Sequence, residues 1–196
     1  MDGQNYLTSI RAQFQYYKHL AEQALEQVPD ESLNWSPTEE SNSLTVIINH
    51  LSGNMLSRFT DFLTSDGEKP WRDREKEFEI KDCSRQHLLS HWDKGWSVLF
   101  HALDALSPDD LSTLVYIRHQ GHTVLEALNR QLAHYAYHVG QMVFLSRMIA
   151  GDQWRSLSIP RGQSATYNQE KFNQTPHREH FTEEFLKSAS SQIAKK

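Results

Sequence analysis

The sequence predicts an all-α protein built on four helices. Apolar residues recur every three or four positions through four long stretches. Each stretch is bounded by capping or helix-breaking residues. Only residues 114–122, LVYIRHQGH, are β-branched and aromatic enough to suggest a short extended strand or hairpin.

The first helix is expected over residues 3–27. Leu7, Ile10, Phe14, Tyr17, Ala21, Ala24 and Val28 form its buried stripe, and Pro29 stops it. The polar segment that follows reads as a loop, with Leu33 and Trp35 packing it onto the bundle end. Ser43 caps a second helix expected to reach about residue 65, with Gly67 closing it. Its stripe is Leu44, Ile47, Ile48, Leu51, Met55, Phe59 and Phe62, with His50 on the edge and Asn54 one turn later. A charged connection leads to a third helix, expected from Asp82 as cap to about Leu106 and lined by Leu88, Trp92, Trp96, Leu99 and Leu103. Cys83, at the start of that helix, reads as structural rather than reactive.

The clearest helix runs from Thr123 to Gly151. Thr123 and Glu126 fit a capping box, and Gly151 stands where a left-handed closing residue is expected. His134 and His138 lie four apart, so both rings project from one face. Such a pair can supply half of a metal site, or can be two half-buried core histidines. A helical zinc protease is excluded, because its general base would follow the first histidine directly, and Tyr135 stands there. His87 and His91 repeat the spacing in the third helix, but their face continues through Lys94 and His101 and reads as solvated. Gly140, inside the long helix, suggests a close approach by a neighbour. After Gly151 the chain reads as irregular. From Pro176 onward, Phe181, Phe185, Leu186, Ala189 and Ile193 can line a short helix.

Composition narrows the function classes. The chain has 196 residues, 38% hydrophobic and 11% aromatic, enough for one folded domain. A net charge of −5 gives no footprint for nucleic acid. No apolar run approaches the roughly 18 residues a membrane helix needs. The first residues carry neither a basic nor an apolar signal region, and the single cysteine permits no internal disulfide. A cytoplasmic location is therefore expected. Trp35, Trp71, Trp154, Phe172, Phe181 and Phe185 lie outside the helical stripes, and they motivate the expectation of a homodimer.

NWSP (34–37), LTVIINHLSGNM (44–55), RQLAHYAYHVGQM (130–142) and WRSLSIPRG (154–162) together resemble the DinB-like (YfiT-like) superfamily, closest in a branch of unknown function. The resemblance covers roughly residues 3–173. It divides the chain into a bundle domain, residues 1–173, and an extension, residues 174–196. It implies an up-down-down-up four-helix bundle with a metal held by three histidines. Carried onto this chain, these are His50, His134 and His138. The implied cofactor is a divalent ion: zinc, with nickel, iron or manganese as alternatives. Gln131 and Asn54, each one turn from a ligand, become candidates for a fourth ligand or for orienting the others. Superfamily members include bacillithiol transferases and mycothiol-dependent maleylpyruvate isomerases, in which the metal activates a small thiol. The expectation is therefore a metal-dependent enzyme acting on a small molecule, as a thiol S-transferase or by hydrolysis. The alternative is a stress or assembly protein in which the metal only staples the bundle.

Overall fold

In the computed structural model, residues 2–79 and 84–186 are described. Helices α1 (Gly3–Leu25), α2 (Leu44–Phe59), α3 (Arg85–Asp104) and α4 (Val124–Ala150) form the body. Strands β1 (Leu114–Ile117) and β2 (Gln120–Thr123) form a hairpin before α4, and a short α5 (Ser164–Phe172) follows it. The chain is thus an all-α, bundle-like protein with one small two-stranded sheet among the described residues.

Cross-helix bonds fix the directions. Tyr6 on α1 donates to Asn129 on α4 at 2.9 Å, and Gln27, just past α1, donates to the Arg155 carbonyl beyond α4 at 3.2 Å, so these helices run parallel. Arg11 pairs with Asp104 at 2.9 Å and Lys18 with Asp93 at 3.0 Å, so α3 runs antiparallel to α1. On the last face, α2 meets α4 antiparallel, His50 beside His138 and Arg58 beside Ala127. The order is therefore up, down, down, up. The two parallel inner helices, α2 and α3, need a connection that travels the length of the bundle.

The core is rich in aromatic residues. Phe14, Trp92, Trp96 and Tyr135 are fully buried. Trp96 meets Trp92 at 5.4 Å and Tyr135 at 5.9 Å between ring centroids, both edge-on. Such pairs add about 0.5–1.5 kcal/mol each beyond the burial itself. Tyr135 thus follows His134 as a core residue, and its hydroxyl donates to Asn54 Oδ1 at 3.0 Å.

Capping follows the sequence at two starts. Ser43 accepts from the Val46 N–H, and Thr123 and Glu126 form the expected capping box. Gly151 ends α4 at φ 54°. The third helix differs: Ser84 is its cap, while Asp82 and Cys83 lie outside the described residues. The second helix is also shorter than expected. It stops at Phe59 because Thr60 turns extended and Asp61 adopts φ 49°. Gly67 does not close it; its N–H donates to the Tyr116 carbonyl at 2.7 Å and ties the connection to the hairpin.

The close approach expected at Gly140 is absent, since an added Cβ would meet nothing within 4 Å. It occurs instead at Gly95, where a Cβ would lie 3.1 Å from the Ser52 Cα, between α3 and α2. Helix α5 stands where an irregular run is expected; none of its residues is buried, so it carries no apolar stripe to detect. Leu33 is buried as expected, but Trp35 stays 41% exposed. Beyond α5, Phe181 and Phe185 set their rings against Tyr16 of α1, and Ala189 and Ile193 lie outside the described residues. No helix among the described residues is long and apolar enough to cross a membrane.

Candidate metal centre

The fold brings His50 of α2 against His134 and His138 of α4. One nitrogen from each ring lies within 4.8 Å of the other two. His50 Nε2 and His134 Nε2 are 3.3 Å apart. Nitrogens bound about 2.05 Å from a tetrahedral zinc stand about 3.3 Å from each other, so this edge already has the spacing of a ligand pair. His50 and His138 are buried and His134 is partly so.

Two of the rings are oriented by partners behind them. Glu77 Oε2 lies 3.0 Å from His50 Nδ1. A carboxylate can only accept, so Nδ1 carries a proton toward Glu77 and Nε2 is the nitrogen that faces the cluster. Arg72 grips the same carboxylate, Nε to Oε1 at 2.7 Å and a terminal nitrogen to Oε2 at 2.9 Å. Burial raises the Glu77 pKa, but the hydrogen bonds from His50 and Arg72 outweigh it and hold the carboxyl below its ordinary value. On α4, His138 Nδ1 donates to Gln141 Oε1 at 2.8 Å, and Gln141 Nε2 donates to the Tyr137 hydroxyl at 3.1 Å. That chain frees His138 Nε2 in the same way. Carboxylate or amide partners of this kind set the tautomer and the ring angle of metal-binding histidines.

The electrostatics favour neutral rings. Burial, followed by the neighbouring His138 and His50 and by Arg58 and Arg72, pushes His134 down to about 3. Burial and His50 lower His138 as well, against the opposing bond from Gln141. Three imidazoles sharing one small volume, two of them held neutral by burial, form a donor set that fits a borderline divalent cation.

Gly53 explains how Glu77 reaches His50. It lies one turn after His50 on α2, and a Cβ there would fall 2.2 Å from Glu77 Oε1. The missing side chain makes room for the carboxylate.

One side of the cluster is open. His50 and His134 form part of the wall of a cavity of about 230 Å³. Asn54 and Gln131 line the same cavity, as do Arg58, Arg72, Arg74, Arg118 and Arg130. Asn54 has its Oδ1 taken by Tyr135, while Gln131 Oε1 is buried without a hydrogen-bond partner.

Sequence comparison matches residues 2–163 to a family described as "Protein of unknown function (DUF1572)". The chain belongs to this family. That description assigns DUF1572 proteins no activity, and no curated protein or solved structure matches the chain. The chemistry of this DUF1572 member is therefore read from its own residues.

The three histidines expected from the sequence come together. His87 and His91 do not join them: His87 is exposed and His91 half-buried on α3. Sequence reasoning missed Glu77, Arg72, Gln141 and the arginine wall. Glu77 and Arg72 sit in a charged run that reads as a solvated connection. The legible signals were Gln141, three residues past His138, and the glycine three past His50 in a helix of larger residues.

Proposed function

We propose that this DUF1572 protein holds one divalent metal ion on His50, His134 and His138 and acts on a small molecule at the open side of that ion. The observation that carries this reading is the cavity beside the histidines. A structural site closes around its ion with four protein ligands, whereas a catalytic one keeps a position free. The resemblance to the DinB-like superfamily supports the same ligand set and a thiol transfer as the reaction, with hydrolysis as the variant.

A bound divalent cation would lower the pKa of a thiol or water taken up beside it. The protein's own residues fit a reaction in which the nucleophile is activated that way. Among the described residues, the cavity wall contains no carboxylate and no cysteine. Glu77, the nearest carboxylate, is engaged by His50 and Arg72. What the wall offers is orientation and charge: Gln131 Oε1 accepts a proton donor, and the guanidiniums hold negative charge.

The test has two parts. Metal analysis of purified protein should return about one equivalent per chain. Turnover of a model electrophile should then be followed with several low-molecular-weight thiols, and of ester substrates without thiol. Wild-type protein should exceed metal-stripped protein and His138→Ala. Equal rates for all three would leave a metal that only staples the bundle.

The homodimer is part of the same proposal. Trp71, Phe172 and Phe181 are exposed. So are Tyr137, Phe144 and Met148 on the outer face of α4, a stripe of the kind that a second copy would cover. Light scattering should give twice the 22.8 kDa chain mass; a mass of one chain at micromolar concentration removes the idea.

A further inference from the structure

The arginine wall says what the small molecule carries. Five of the residues around the cavity are arginines, in a chain whose net charge is −5. Such a concentration of one sign is not an average property of this surface.

Among the described residues, these cations outnumber the carboxylates that answer them. Glu68 is shared by three of the arginines, with contacts of 3.2 Å to Arg58, 3.0 Å to Arg118 and 3.7 Å to Arg72. Arg72 has its second carboxylate in Glu77. Arg58 is also spent on the Gly67 carbonyl, so these two buried arginines form the floor. The rim differs. Arg118 stays 61% exposed, and its one carboxylate is the shared Glu68. Arg74 pairs with the outer, 86% exposed Glu75 at 3.3 Å and lies over the Phe78 ring. Arg130 donates to His122 Nε2 at 3.0 Å, an imidazole nitrogen in place of a carboxylate. Guanidiniums present paired N–H groups that match the two oxygens of a carboxylate or phosphate.

The rim arginines are also held in place. Arg118 sits at the hairpin tip, where it and His119 adopt φ 56° and 61°. Asp66 accepts from both of their backbone N–H groups, at 2.9 Å and 2.8 Å, and fixes the turn. Size bounds the ligand as well. At about 230 Å³ the cavity lies below the roughly 300–1,000 Å³ of drug-sized sites.

We propose that this cavity binds a small oxyanion, a carboxylate or phosphate group, held by Arg74, Arg118 and Arg130 at the rim, with Gln131 Oε1 accepting an N–H or O–H from the same molecule. It would reach the histidine cluster from the side that His50 and His134 wall. This deepens the reading above, since the anion would be the substrate or co-substrate of that site. The binding itself uses arginines and does not require the metal.

Titration calorimetry at constant ionic strength would use inorganic phosphate, malonate and the uncharged malonamide as probes. Phosphate or malonate should bind wild-type protein and malonamide should not; which anion binds more tightly distinguishes phosphate from carboxylate as the natural group. Arg118→Gln and Arg130→Gln should each weaken the better anion roughly ten- to hundredfold, the loss of a charge-assisted bond. Both positions are exposed, so fold and metal content should stay at wild-type levels. His138→Ala should lose metal while still binding anion to its arginine rim. Failure of metal analysis with retained anion binding would overturn the metal reading alone. No anion binding to wild type, or binding unchanged in both arginine variants, overturns the anion site.

Discussion

Two histidine pairs with one spacing meet different fates in this molecule. His87 and His91 sit on α3 as His134 and His138 sit on α4, four residues apart on one helical face. On α3, the face of the pair continues to Lys94, three residues past His91. Burial together with His87 and Lys94 lowers the His91 pKa, but no third imidazole arrives. On α4, the antiparallel α2 delivers His50, and the crossover delivers Glu77 behind it. The pair itself is therefore not the site. A third imidazole from another helix and a carboxylate that turns its ring make the difference.

That comparison is most strongly broken by removing a ligand. His134→Ala should abolish metal retention after gel filtration, while His87→Ala should retain the wild-type equivalent. Equal metal in both variants would sink the assignment. The comparison is sharpened by leaving all three imidazoles and removing their support. Glu77→Gln should weaken metal affinity about 10–100-fold, the usual cost of losing such a partner. Competition with a chromophoric chelator reads this directly, and unchanged affinity would mean that Glu77 serves only Arg72. Gly53→Ala should act through the same carboxylate without touching a ligand. The new methyl meets Glu77 Oε1 at 2.2 Å, and Arg72 holds Glu77 against moving aside. Its affinity loss should approach that of Glu77→Gln, and the double variant should lose no more than Glu77→Gln alone, because both changes break one contact.

The smallest effect concerns the hairpin that carries Arg118. Slight burial raises the Asp66 carboxyl, but the N–H groups of Glu68, His119 and Arg118 outweigh it and hold the pKa at about 2. A carboxyl lowered from its ordinary 3.8 contributes stability above that value and loses it as pH falls toward 2. Wild type should melt above Asp66→Asn at neutral pH. The gap should close between about pH 4 and pH 2, and a gap independent of pH would refute the linkage.

How much of this was legible follows from where each residue gets its information. Stripes such as Leu128, Leu132, Tyr135, Val139 and Met142 announce a helix by local spacing alone. The Thr123–Glu126 box announces its start, and the structure has both. The hairpin was only half legible: LVYI reads as a strand, but its turn uses Arg118 and His119 in place of the usual Asn-Gly. A distant carboxylate, Asp66, makes that turn tolerable, and no local pattern shows it. The three histidines were named through a family resemblance, because 84 residues separate His50 from His134. Glu77 and the arginines were invisible for a related reason. In sequence they are a charged run, and only the path of the crossover across α2 turns them inward.

The parallel pairing of α1 with α4 also governs the order of assembly. Tyr6 finds its carbonyl partner Leu125 across 119 residues of chain. Loop-closure entropy must be paid before so distant a contact stabilises anything, which slows folding of this topology relative to a bundle of sequential hairpins. During synthesis, His50 emerges well before His134 and His138, so a nascent chain offers one of the three cluster imidazoles. The three-histidine cluster exists only once the last long helix has docked. On the proposed reading, loading with metal would be a late event, and retained metal would report that both ends of the bundle have met.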